Sequence, residues 1–453
     1  MEDPRLSRMY AALVARRLAE LRDSTWRLIV KHSGLLTVLV LTIGLLSLAI
    51  GWRAHRQGQF AKLKTELKAK RDSAPQVSAA ARPGGQDAIV LERAQPTVGT
   101  VPEFLSATVL PGRGMNVLQI TAYLPHKGEV QLLASPSLDE AAQLMNGSGM
   151  DSAGEASLEM GGAFEAPWAN RISGAAPPGG TSVLTAWHGQ PLKLPLTAKK
   201  YNGDPVSVGG LLLRRGADSV KTNVMPDGGE AQAIFNAGDF YGHWISQTEI
   251  TTSVQLSGRA MEMQVVARNT GDKPEPMGVG WHPRFAILSG DRERATLRLP
   301  SAVRAEVRDR RSGLPSGRLL PVTGTEYDFT GKNGAPLGRL SLDDSFVHLR
   351  PTLLESGPVA ELRDPESGYG LRITAITSTI KAMRVYAPAD EKFVSIEPQF
   401  NYDDPFGNEW RKEEDTGMVV LEPGQSTQWT VRLEIFPLTL DQSTDQSRDQ
   451  PRP

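Results

Sequence analysis

The stretch EITTSVQLSG at 249–258, followed by AMEMQVVARN at 260–269, decides the fold. In the second segment Met261, Met263, Val265 and Ala267 take every other position, with Glu262, Gln264 and Arg268 among the residues between them. Successive side chains of a strand point to opposite faces of a sheet, so period two marks a strand with one face toward a core. ATLRLP at 295–300, YGLRITAITS at 369–378 and QWTVRLEIF at 428–436 also alternate or cluster β-formers, and Gly, Pro, Asn and Asp punctuate them. After position 90 no apolar pattern of helical period persists for even fifteen residues. The body is therefore predicted to be all-β, mostly antiparallel sheet, in a large sandwich or barrel. Its length of about 350 residues without an interior linker argues for one domain with two extensive sheets.

The chain has 453 residues, 50 basic and 51 acidic side chains, and a net charge of -1, which gives no electrostatic reason to expect nucleic acid. A small neutral partner fits better. The absence of cysteine excludes disulfides, thiol nucleophiles and zinc-thiolate sites. No phosphate-cradling glycine loop, His-rich metal cluster or nucleophile elbow is present, so neither a cofactor nor a metal is expected. YDDPFGNEW at 402–410 gathers Asp403, Asp404 and Glu409, but its Pro and Gly spacing reads as a turn before it reads as a calcium loop.

Ahead of the body, residues 35–52 read LLTVLVLTIGLLSLAIGW, 18 residues without charge, bracketed by Lys31 and Arg53. That is the length and purity of a transmembrane helix. The basic segment 1–34 before it is too long for a signal peptide, and no A-x-A-like site follows, so the span reads as an uncleaved anchor. Basic residues crowd both ends, Arg16 to Lys31 before and Arg53 to Arg71 after, and the positive-inside count does not favour export. Large domains translocate despite such charges, so the body is expected on the extracytoplasmic side of the membrane. Residues 53–88 read as a helical stalk followed by a flexible linker, the body runs from 89 to 437, and the polar tail 438–453 is too poor in apolar residues to pack.

Two short segments of the body carry chemistry. WHPRF at 281–285 and SIEPQF at 395–400 supply a histidine, His282, and a carboxylate, Glu397, each directly before a proline at the end of a strand-like run. Together they are the minimum equipment for moving one proton onto a substrate while removing another. Seven histidines and 51 acidic residues allow many accidental pairings, so the local setting matters more than the pair itself.

With these segments, APWANRISG at 166–174, GQPLKLPLT at 189–197, GVGWHPRFAI at 278–287, LDDSF at 342–346 and VSIEPQF at 394–400 occur in one order. In that order the body resembles the aldose 1-epimerase (mutarotase) family. Its members share a large antiparallel β-supersandwich and interconvert the α and β anomers of free sugars without a cofactor. The resemblance implies that Glu397 is the base and His282 the acid, standing on opposite sides of the O–C–O unit of a pyranose, with their roles exchanged on ring closure. It further implies that Asn170 and Arg171 meet the sugar, that Asp343 accepts from its hydroxyls, and that Gln399 faces the same pocket. One departure stands out: Val208 occupies the place where the family carries a second histidine, and valine donates nothing. Arg284 also replaces a usual tyrosine. His243, in DFYGHW at 239–244, is the substitute donor to test, while His188 in WHGQ reads as a hairpin turn. These losses keep a second expectation open, a tethered supersandwich that binds saccharide without turnover.

Overall fold

In a computed structural model the segments at 249–258 and 260–269 become neighbouring antiparallel strands, Thr248–Ser257 and Ala260–Asn269, paired from Thr248 with Asn269 to Ser257 with Ala260. The structure describes residues 15–23, 78–79, 82–94, 99–197, 204–308, 310 and 312–439. It divides into two units, Met1–Lys70 and Arg71–Pro453. In the first, residues 15–23 form an exposed helix. The anchor expected at 35–52, the stalk and linker from 53 to 77, and the tail beyond 439 lie outside the described residues. Among the described residues no helix is long and apolar enough to cross a membrane.

The second unit is built on two large antiparallel sheets. In one, Ala260–Asn269, Ser426–Pro437 and Tyr369–Ala375 lie side by side, with Thr248–Ser257 next outward. Burial along Thr248–Ser257 and most of Ala260–Asn269 alternates residue by residue, as their sequence pattern requires. In the other sheet Gly162–Glu165, Gly280–Pro283, Phe393–Gln399, Ala382–Ala387 and Leu342–Val347 follow one another across the centre. Every residue of Gly162–Glu165, Gly280–Pro283 and Phe393–Gln399 is buried. These strands are buried on both faces, which is why their burial does not alternate. Helices are short: Leu138–Leu144, closed by a Ser137–Glu140 capping box, and Ala156–Glu159.

A single hydrophobic core draws Phe164, Trp281 and Ile396 from one sheet and Val254, Met263, Trp429 and Leu433 from the other. Trp429 ties the two together. Its indole N–H donates to Pro398 O at 3.1 Å, and its ring meets Phe164 edge-on at 6.0 Å between centroids. It therefore supports the two strands that carry Glu397 and Glu165 from behind. Trp429→Ala is expected to destabilise the domain by about 3–5 kcal/mol, and Trp429→Phe by about 1 kcal/mol through the lost hydrogen bond, as read by chemical denaturation.

The β-structure starts ahead of Ile89, within the stretch read as linker. Ser78 and Ala79 pair with Val90 and Ile89, and the turn Pro83–Gly85 lies against Gly112. A Cβ on Gly84 would sit 2.2 Å from Gly112 O, and φ there is +68°, so the approach requires glycine. Composition alone did not separate this ordered turn from a flexible segment, because both use Pro and Gly.

Candidate active site

A cavity of about 650 Å³ opens over the central strands of the sheet that carries Gly280–Pro283 and Phe393–Gln399. Register explains what lines it. Gly280 faces Glu165, His282 faces Ala163, and Arg384 lies directly opposite Glu397 on the neighbouring strand. One strand further, Asp343 lies opposite Tyr386. Glu165, Asn170, Arg171, Val208, His282, Arg284, Asp343 and Arg384 all reach the cavity wall.

The polar groups form a chain of alternating charge. His282 Nδ1 is 3.1 Å from Glu397 Oε1, and Arg384 Nη1 donates to the same oxygen at 2.7 Å. Arg384 Nη2 donates to Asp343 Oδ1, and Arg171 Nη2 donates to Asp343 Oδ2 at 3.0 Å. Arg171 Nη1 then faces Asp403 Oδ1 at 3.6 Å. Burial pushes the Glu397 carboxyl upward, but Arg384 and His282 outweigh it and hold the group below its ordinary range. Burial likewise opposes ionisation of Asp343, and Arg171 and Arg384 overcome it, leaving the group at about 2. Glu165 goes the other way: burial, then repulsion from Glu397, push it up to about 8. Its Oε1 accepts from the Asn170 backbone N–H at 3.2 Å, and its Oε2 is buried with no hydrogen-bond partner.

Among the residues singled out from sequence, Asn170, Arg171, His282 and Asp343 share the cavity wall. Asn170 does so with a left-handed backbone, φ 62°. Adjacent aspartates point apart: Asp343 meets Arg171 and Arg384, whereas Asp344 holds Arg304 and Arg310. Glu397 is fully buried and lies behind His282 and Arg384, not on the wall. The expected gap of one sugar ring between His282 and Glu397 is not there; the two side chains touch. Gln399 does not reach the cavity either, since its amide turns back to donate to Asn401 O at 2.8 Å. Val208 reaches the wall opposite Arg171 in register, so the missing donor is missing from the site itself.

His243 does not replace that donor. Its Nδ1 lies 2.6 Å from Lys193 O, and it borders two other surface cavities, not this one. The segment DFYGHW folds as a turn outside the site, with Phe240 and Tyr241 both at positive φ. His188 forms a hairpin turn with Gly189, at φ 48° and 79°, between Ser182–Trp187 and Gln190–Pro195. In the YDDPFGNEW segment, Asp403 accepts from Ser345 Oγ at 2.6 Å and Asp404 from the Ser173 backbone N–H at 2.8 Å, bonds that tie the segment to two strands distant in sequence.

Two site residues escaped the sequence reading, Glu165 and Arg384. The available signal was a single charged residue inside an apolar strand, GAFE at 162–165 and AMRVYA at 382–387. One oxygen of Glu165, one of Glu397 and a ring nitrogen of His282 lie within 4.8 Å of one another, a donor set of the kind that holds a divalent cation. Arg384 already supplies the positive charge at Glu397, and acid–base chemistry is what the arrangement can do as it stands.

The aldose 1-epimerase family pattern matches residues 130–434, more than half of the chain. The chain belongs to the aldose 1-epimerase family. Among solved structures it is similar to a galactose mutarotase-like protein from Clostridium acetobutylicum, at 17% identity and a TM-score of 0.63 over 81% of this chain and 100% of that one. It is also similar to galactose 1-epimerase from Lactobacillus acidophilus, at 14% identity and a TM-score of 0.55 over 80% and 98% of the two chains. An aldose epimerase homologue from C. elegans shares 19% identity and a TM-score of 0.54 over 74% and 96%. At these identities the likeness concerns the fold. No curated protein sequence matches the chain.

Proposed function

We propose that this cavity binds a free aldose and interconverts its α and β anomers by acid–base catalysis. The observation that carries the reading is the contact of His282 Nδ1 with an ionised Glu397, at a cavity with room for a monosaccharide. Ring opening removes the proton of the anomeric hydroxyl, gives one to the ring oxygen and breaks the C1–O5 bond. Rotation about C1–C2 and closure by the reverse transfers deliver the other anomer. Glu397 accepts from Nδ1–H and leaves Nε2 as the ring nitrogen that meets the sugar. The pair then works as one unit: His282 Nε2 takes the proton of the anomeric hydroxyl, Glu397 stabilises the imidazolium that results, and Nε2 gives that proton to the ring oxygen as the C1–O5 bond breaks. Arg171 offers a planar fork of donors and Asp343 an ionised acceptor to the ring hydroxyls. Polarimetry on freshly dissolved α-glucose or α-galactose, with the spontaneous rate subtracted, tests the reading. Wild-type protein with no activity on any common aldose would end it.

A second reading is favoured by the complete burial of Glu397 and by Val208: the cavity holds a saccharide without turning it over. Calorimetric binding of a sugar by a protein inactive in polarimetry decides for this alternative.

We further propose that residues 35–52 anchor the chain in a membrane, with the epimerase domain on the extracytoplasmic side. The support is the uncharged 18-residue run. Alkaline carbonate extraction should leave the full-length chain in the membrane pellet, and deletion of 35–52 should release it. Protease accessibility in intact cells and spheroplasts reads the side.

A further inference from the structure

Glu165 lies next to the proposed proton-moving pair and has no part in it. Its strand is paired with the His282 strand, and its carboxyl fits over Gly280, where a Cβ would come within 3.1 Å of Oε2 and 2.7 Å of the Ala169 Cβ. The facing charges come from every neighbouring element: His282 beside it, Glu397 and Arg384 on the next two strands, Asp403 beyond them, with Arg171 and Asp343 closing the ring. Three buried carboxyls, Glu165, Glu397 and Asp403, and the half-buried Asp343 thus surround two guanidiniums, Arg171 and Arg384. That leaves two negative charges in excess if every carboxyl ionises, which a buried cluster does not tolerate. Asp343, Glu397 and Asp403 take the ion pairs with the two arginines, and Glu165 has none of these contacts. The proton therefore belongs on Glu165.

We propose that Glu165 is a positioning residue of the epimerase site: as a neutral carboxylic acid beside His282 it allows Glu397 to stay ionised, and its own ionisation sets the alkaline limit of activity. This rests on the proposed function and deepens it. The rise of Glu165 to about 8 supplies the pH window. Below that, one negative charge faces His282. Above it a second buried carboxylate joins Glu397, His282 holds its proton too tightly to release it, and turnover falls.

The test compares the purified full-length wild type with Glu165→Gln, whose amide copies the neutral acid at every pH. Wild-type kcat/KM is expected to fall about tenfold per pH unit above about 8. Glu165→Gln is expected to stay within about threefold of wild type at neutral pH and to lack that fall. Melting temperature provides a readout independent of turnover. A carboxyl raised in the folded state stabilises fully below its ordinary value of 4.5, and that contribution is lost as pH rises through about 8. Wild-type Tm should drop further across that window than that of Glu165→Gln, in which the other raised carboxyls, Glu275 and Glu409, still titrate. An unchanged alkaline limb in Glu165→Gln overturns the proposal. So does loss of activity at neutral pH with Tm intact, which would make Glu165 a direct proton donor to the sugar. Stoichiometric Zn²⁺ or Mn²⁺ binding that Glu165→Gln abolishes overturns it in favour of a metal site. If the wild type is inactive on every aldose, the proposed function fails, and equal Tm profiles of the two proteins would then end the Glu165 proposal separately.

Discussion

Glu397→Gln is expected to reduce anomer interconversion by roughly 10² to 10⁴, the usual contribution of a general acid–base group. The amide keeps the shape of the carboxylate and fills the same buried space, so packing changes little. What it loses is charge. Glu397 Oε1 now accepts from both His282 Nδ1 and Arg384 Nη1, and a glutamine oxygen can accept from both but cannot stabilise the imidazolium that forms when His282 takes a proton. It also leaves Arg384 with Asp343 as its sole remaining carboxylate partner among the contacts described, which adds a cost in stability. Polarimetry at neutral pH reads the catalytic loss, and denaturant unfolding of the same preparation separates it from misfolding. Activity equal to wild type in the mutant would remove Glu397 from the mechanism.

The sheets were legible where their strands have one wet face. Thr248–Ser257 and Ala260–Asn269 alternate in sequence because they alternate in burial, and a period of two admits no other regular element. The central strands of the other sheet gave no such alternation, being buried on both faces, and their positions came from the His-Pro and Glu-Pro-Gln motifs. Site residues within those motifs were found, but the distances between them were not. His282 and Glu397 are more than a hundred positions apart, and only the pairing of Gly280 with Gln399 shows that their strands are neighbours. Arg384 is tied to Glu397 by register alone, and a one-residue slip would point it to the other face. Glu165 shows the same limit: a lone Glu in GAFE reads as an exposed strand residue until both faces are covered. His243 was chosen for its aromatic neighbours, a local property that says nothing about which cavity a turn borders.

Val208→His is expected to raise the rate of mutarotation, by several-fold and up to roughly 10², because a donor to a reacting oxygen contributes on the order of 3 kcal/mol. Val208 lies on the strand Val206–Val208, opposite Arg171, and its side chain meets the cavity on the wall that also carries Thr197. The Val208 backbone N–H is already bonded to Thr197 Oγ1 at 3.0 Å, so the substitution leaves the strand's own hydrogen bonding in place. An imidazole is larger than an isopropyl group, and the extra atoms have the cavity to enter, since Val208 is 8% exposed there. His243→Ala in the same assay should leave the rate alone, because His243 is engaged with Lys193 O outside this cavity. The two substitutions therefore separate sharply. Gain from Val208→His with no effect of His243→Ala places the deficit at the ring oxygen. A drop on His243→Ala as large as that of His282→Ala would instead show that the turn at 239–244 reaches the sugar in the working protein. If Val208→His leaves the rate unchanged, the donor to the ring oxygen comes from a group already on the wall, and Arg171, through its planar fork, is the residue to substitute next.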